Sequence, residues 1–168
     1  NIGYVSGDFK QHSVSFFFQP LLENHDRDKF NIYCYSNNKF SDNITIKIKS
    51  LSKKWTEIFD KSDDEVFDII LNDKIDILVD LSGHTRGNRL TVFAKKPAPI
   101  QITWLGYPNT TGLSSIDYRF TDMITDPIGK TEKYYSEKLY RLPNNFLCFT
   151  GEEETEVVTK IPLNRNNY

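Results

Sequence analysis

The run Ile75-Asp76-Ile77-Leu78-Val79-Asp80-Leu81 constrains the fold more than any other stretch of this chain. It is short, almost continuously apolar, and set off by the turn-forming Asn72-Asp73-Lys74. A strand wetted on one face alternates apolar with polar residues, whereas a parallel strand covered on both faces reads as this run does. Similar runs recur at 2–5, 30–35 and 100–105, with shorter ones at 54–58, 118–121 and 138–141. Between them the period changes. Val14, Phe17, Phe18, Leu21 and Leu22 predict a helix from His12 to just before His25; Ile44, Ile48 and Leu51 predict a weaker one. Ser62 or Asp63 can cap a third, in which Val66, Phe67, Ile69, Ile70 and Leu71 turn inward. A short helix is expected over 88–95. Strands alternating with helices in this way predict an α/β, Rossmann-like, doubly wound and mostly parallel sheet. We expect one domain over residues 1–150 and a polar, acidic tail or connection over 151–168.

Composition agrees with a packed core. The 168 residues include 12 Phe, 9 Tyr and 2 Trp, enough rings to fill an interior without disulfides or metals. Lys and Arg number 21 against 23 Asp and Glu, so a broadly basic nucleic-acid surface is not expected. Cys34 and Cys148 are too few and too far apart for a zinc site or a disulfide framework, which points to a reducing, cytoplasmic setting. No apolar run approaches the roughly 20 residues that span a bilayer, so no membrane partner is expected. The chain opens directly on strand-like Asn1-Ile2-Gly3-Tyr4-Val5 without a signal-peptide pattern, which we read as a piece of something longer.

In doubly wound sheets, ligands sit beyond the carboxyl ends of the strands, which makes three post-strand loops the candidate sites. The first, Ser6 to Ser13, carries Asp8 and His12 four apart at the entry to a helix. A histidine there can handle a proton or donate to phosphate. Spacing alone favours plain capping, with His12 half exposed. The second, Ser82 to Arg89, brings His84, Arg86, Arg89 and two glycines to a helix start, phosphate-friendly chemistry without a recognised nucleotide motif. An ordinary solvated loop explains it equally well. In the third, after the strand at 100–105, Gly106, Pro108 and Gly112 shape a turn that leaves Asn109, Thr110 and Thr111 free for a polar ligand. Trp104 and Tyr107 offer flat faces of the kind sugars pack against, and a simple turn between strands is as good a reading of that spacing. His25 is expected to be a solvated helix-end residue and Cys34 to be core.

Taken together, Ile2 to Phe9, His12, Asp76 to Thr85, Pro97 to Gln101 and Trp104 to Gly112 resemble the catalytic region of the O-GlcNAc transferase / SPINDLY glycosyltransferases, glycosyltransferase family 41. Asp117-Tyr118-Arg119, Thr121-Asp122, Asp126-Pro127, Tyr135 to Leu139 and Leu142-Pro143 continue it in order. The resemblance implies one lobe of a two-lobed, GT-B type enzyme: the N-terminal Rossmann-like half, without the C-terminal lobe that supplies most nucleotide contacts and without the preceding tetratricopeptide repeats. It implies a protein O-glycosyltransferase. In that reaction a Ser or Thr hydroxyl of an acceptor protein attacks the anomeric carbon of a nucleotide sugar with inversion, with no metal or other cofactor. This piece is expected to be inactive by itself. The family's active-site histidine and aspartate map to His12 and Asp8, and its sugar-contacting segment maps to Leu105, Gly106 and Pro108, with Asn109 and Thr110 beside them. Animal members carry Asn-His-Pro-Thr-Ser-His where this chain has Gln11-His12-Ser13-Val14-Ser15-Phe16, and 83–85 and 109–112 look closer to SPINDLY and its bacterial relatives. The implied donor is UDP-GlcNAc; the alternatives are GDP-fucose, used by plant SPINDLY, or a catalytically inactive Rossmann-like binding module.

Overall fold

A computed structural model describes residues 1–151, and the tail expected over 151–168 falls, past Gly151, outside the described residues. Seven strands form one sheet: β1 Ile2–Ser6, β2 Ile32–Ser36, β3 Lys54–Glu57, β4 Ile77–Asp80, β5 Ile100–Thr103, β6 Tyr118–Asp122 and β7 Lys138–Leu142. Their order is β3-β2-β1-β4-β5-β6-β7, and every neighbouring pair is parallel rather than mostly so. The helices are α1 Ser13–Glu23, α2 Asn43–Ser50, α3 Asp63–Asn72 and the short α4 Leu90–Ala94. Between β5 and β6 the chain crosses without a helix, and between β6 and β7 it makes only a 3₁₀ turn, Glu132–Tyr134.

Alternation within each strand builds the two sides. Side chains on a strand point to opposite faces in turn. Tyr4 and Val79 therefore join Phe18, Leu22 and Ile48 under α1 and α2. Their neighbours Val5 and Leu78 join Val66, Ile70 and Phe93 under α3 and α4. β1 and β4 sit at the middle of the sheet and are covered on both faces, which is why their sequences are apolar up to the polar residue that ends each, Ser6 and Asp80. Three helix starts are capped by side chains: His12 caps α1, Asp42 makes a capping box with Thr45 at α2, and Ser62 makes one with Glu65 at α3.

Two expectations are corrected. The strand expected to run to Leu105 stops at Thr103, because Leu105 turns to φ +74° and the Gly106 N–H closes back on the Trp104 carbonyl at 2.9 Å. His25 is half-buried rather than solvated. Its Nε2 lies 2.8 Å from the Tyr4 hydroxyl, since a phenol buried in the α1 side of the core needs a polar partner. Burial, then the Arg27 charge, lowers the pKa of the His25 ring.

Phe18 is fully buried, edge-on to Tyr4 at 4.8 Å and packed on Phe9 at 5.3 Å between ring centres. Phe18→Ala should cost about 3–5 kcal/mol. Urea unfolding of the chain should show this as a lower midpoint with an unchanged slope.

Candidate active site

The strand order turns between β1 and β4, the place where a doubly wound sheet opens a crevice at its carboxyl edge. The loops after β1, β4 and β5 meet there, and each is held by specific bonds. After β1, the Ser6 hydroxyl accepts from Asp8 N–H at 2.9 Å, and Ser15 donates to the Asp8 carbonyl at 2.8 Å. The start of α2 buttresses the same loop. Asp42 accepts from Gln11 N–H at 2.7 Å, and the Thr45 hydroxyl donates to the Phe9 carbonyl at 2.7 Å. After β4, the fully buried Asp80 accepts from Ser82 N–H at 3.0 Å, Gly83 N–H at 2.9 Å and the Thr103 hydroxyl at 2.8 Å. Burial pushes its carboxyl pKa up against the pull of those three donors. Asp80 thus ties the β4 loop to the end of β5.

The β5 loop lies tight on the β4 loop. A Cβ on Gly106 would overlap the Leu81 carbonyl and come within 2.6 Å of Ser82 Cα, so only glycine fits. Leu105, just before it, is the centre of a γ-turn of the strained hand, at a φ that L side chains rarely adopt. The turn aims Leu105, Gly106 and Pro108 into a cleft of about 270 Å³ whose other wall is His12, Ser13, Val14 and Phe17 at the start of α1. Arg119, Thr125, Phe146 and Leu147 complete it.

His12, Leu105, Gly106 and Pro108 are therefore brought together. Asp8 lies directly behind His12. Its carboxylate stands 3.9 Å from His12 Nδ1 and 3.7 Å from Lys10 Nζ, close enough for charge attraction and too far for hydrogen bonds. His12 Nδ1 accepts the N–H of Val14 at 3.3 Å, so the neutral ring carries its proton on Nε2. Capping and a site role are thus combined in one side chain. Asn109 and Thr110 do not line this cleft. The hydroxyls expected to be free are engaged: Glu137 accepts from Thr110 Oγ1 at 2.7 Å, from Thr111 N–H at 2.7 Å and from Thr111 Oγ1. Asn109 Oδ1 accepts from Thr110 N–H at 2.8 Å. Burial works to raise the Glu137 pKa, but these donors together hold it below its ordinary value.

Other expected ligand groups are structural. Arg89 pairs with Asp63 at 2.7 Å and donates to the Ile58 carbonyl at 2.6 Å, which locks α3 to the β4 loop. Trp104 is buried core, its indole N–H donating to the Phe146 carbonyl at 2.8 Å. His84 is exposed at the same edge, its ring edge-on to Tyr107 at 5.3 Å. Among the described residues, no three His, Cys, Asp or Glu side chains gather as metal ligands. No helix there is long and apolar enough to cross a membrane. Sequence reasoning gave no role to Asp80, Arg119 or Glu137, although all three stood inside its motifs. Phe146 and Leu147 had no local signal, because only the return of the chain after β7 brings them to the cleft.

Gly106→Ala should lose about 1–3 kcal/mol through overpacking against the β4 loop, measured by thermal melting. Glu137 yields a pH test. A carboxyl held below its ordinary 4.5 adds stability above that pH and loses it as the pH falls through the folded value. Melting temperatures should therefore fall more steeply below pH 4.5 for the wild type than for Glu137→Gln.

The model of the family described as Glycosyl transferase family 41 matches residues 1–159. The rice (Oryza sativa subsp. japonica) protein named probable UDP-N-acetylglucosamine–peptide N-acetylglucosaminyltransferase SPINDLY is 43% identical over 171 residues, 99% of this chain and 18% of its own length. The Arabidopsis thaliana protein of the same enzyme name called SEC is 39% identical over 159 residues, 94% of this chain and 16% of that one. A solved structure of a mutant O-GlcNAc transferase from Thermobaculum terrenum superposes with a TM-score of 0.85 at 43% identity, covering 87% of this chain and 28% of that one. The chain thus spans under a fifth of the length of these curated relatives and just over a quarter of the solved chain. With a Rossmann-like sheet, a cleft at its carboxyl edge and a family match over nearly its whole length, this chain belongs to glycosyl transferase family 41.

Proposed function

We propose that this chain is the N-terminal catalytic lobe of a protein O-glycosyltransferase, and that its cleft holds the donor sugar. One observation carries the reading: His12 and the Leu105-Gly106-Pro108 turn form two walls of a single cleft beyond the carboxyl ends of β1 and β5. The names of the rice and Arabidopsis relatives support N-acetylglucosamine from UDP-GlcNAc as the transferred sugar, with GDP-fucose the donor to test against it. A second lobe, outside this chain, supplies most contacts to the nucleotide, and repeats ahead of it hold the acceptor protein. The reaction needs no metal. Both cysteines are free, in keeping with a reducing compartment, and we place the protein in the cytoplasm.

In this reading the acceptor Ser or Thr oxygen forms a bond to the anomeric carbon from the face opposite the leaving group. The bond from that carbon to the diphosphate oxygen breaks, and the nucleoside diphosphate departs with the electron pair. The chain's own part is orientation and charge. With Nδ1 engaged by Val14, His12 presents Nε2–H, a hydrogen-bond donor. It therefore donates to a sugar hydroxyl or a phosphate oxygen on which charge develops, and the acceptor's proton passes to the departing diphosphate or to solvent. The Asp8 carboxylate stands behind the ring, 3.9 Å from Nδ1, so the face that meets the cleft is the Nε2–H side. Leu105 and Pro108 exclude water from the sugar.

Asparagine caps helices as well as the residues most favoured for it, so His12→Asn separates the two roles of this position. In the full-length protein, His12→Asn should keep the melting temperature while turnover falls by about 10²–10³-fold, the scale of one lost donor to developing charge. His12→Ala should lose the same turnover and, in addition, about 1 kcal/mol of stability. Initial rates with UDP-GlcNAc and with GDP-fucose identify the donor. An undiminished rate in both variants would remove His12 from the reaction.

A further inference from the structure

Two buried charges of opposite sign hold the turn that carries Pro108. Arg119, on β6, is 4% exposed, and its guanidinium donates to the Tyr107 carbonyl at 2.9 Å and to the Asn109 carbonyl at 2.8 Å. Glu137, immediately before β7, is also 4% exposed and takes the bonds from Thr110 and Thr111 already described. Neither forms a salt bridge with any group among the described residues; both direct their charge onto the five residues 107–111. Proline explains the need. Pro108 has no N–H to close the turn by a backbone bond, and the rigid two-pronged guanidinium supplies donors to the carbonyls on either side of it. Arg119 Nε has no partner, and Arg119 also lines the cleft beside Pro108. Burying unpaired charge is costly, and a turn needed only to join two strands has no use for two of them.

We propose that Arg119 and Glu137 are positioning residues, a two-point clamp through which β6 and β7 fix Pro108 against the donor sugar and so set the affinity for the donor. This rests on the reading of the cleft as the donor-sugar site. The two ends of the clamp have complementary polarity, donors at 107 and 109 and acceptors at 110 and 111. Releasing either end lets the same segment relax. Lysine at 119 keeps the charge but lacks the rigid planar fork that holds both carbonyls at once. Glutamine at 137 still accepts from Thr111 N–H, but its amide nitrogen cannot accept from Thr110, whose hydroxyl oxygen already faces the N–H groups of Gly112 and Ser136 at 3.0 and 3.2 Å.

The test uses the full-length protein as wild type, Arg119→Lys, Arg119→Met, Glu137→Gln and the Arg119→Met/Glu137→Gln double variant. Donor Kd is measured by calorimetry, donor and acceptor-peptide KM and kcat by initial rates, and melting temperature alongside. Donor Kd and KM should rise by about tenfold in Arg119→Met and Glu137→Gln, the scale of one lost hydrogen bond to a charged group. Arg119→Lys should show a smaller rise. Acceptor KM and kcat should stay within about twofold, and the double variant should rise by less than the product of the singles, as expected for two groups acting on one loop. Donor affinity unchanged in the variants of an active wild type overturns the clamp. So does a parallel rise in donor and acceptor KM tracking the fall in melting temperature, which is what a purely structural strut would give. If Arg119→Met does not fold, Arg119→Lys and Glu137→Gln decide by the same criteria. A wild type that binds donor but transfers nothing overturns the transferase reading instead, and the Kd series then judges the clamp by itself.

Discussion

The close approach of Gly106 to the Leu81 carbonyl is the constraint on which the cleft depends. The loops after β4 and β5 can touch there only because position 106 has no side chain. That contact draws the chain into the strained turn at Leu105, which ends β5 early and swings Pro108 toward the start of α1. Strain of this kind persists only where the surroundings over-determine it. Here they do: Asp80 fixes the β4 side, and the Trp104 N–H reaches the Asp80 carbonyl at 2.9 Å.

Around this contact the polar groups of the site are almost all occupied with holding one another. Asp42, Thr45 and Ser15 support the first loop, Asp80 the second, Arg119 and Glu137 the third. The result is a rigid sheet edge with few free functional groups. Such an edge suits a lobe that shapes and orients a substrate whose charge is met elsewhere. It also explains why one arginine of the phosphate-like segment 82–89, Arg89, became structure. Arg89 faces a carboxylate and carbonyls of its own fold before it can meet a ligand.

Much of the fold was legible because it is written in local periods. The seven strands and four helices stand where apolar runs and helical spacing put them, within a few residues at each end. The exceptions are instructive. The strand expected over 75–81 narrows to Ile77–Asp80, and the one expected to reach Leu105 halts at Thr103. Both ends are decided by neighbouring loops, not by the residues' own preference for extended backbone. The setting of His25 has no local signal for the same reason, since its partner Tyr4 lies 21 residues away.

The sequence by itself determined the alternation of strand and helix, the two-sided burial of the central strands and the motifs that mark the family. These rest on spacing along the chain and on residue chemistry, which need no knowledge of what lies opposite. Only the tertiary structure decided which motif residues share a cleft. It made His12 a cap and a donor at once, bound Thr110 and Thr111 to Glu137, placed Arg119 beneath Pro108 and brought Phe146 to the pocket wall. Each of those assignments depends on which distant group satisfies a buried polar atom or fills a space. That competition is settled only when the parallel strands have been laid side by side.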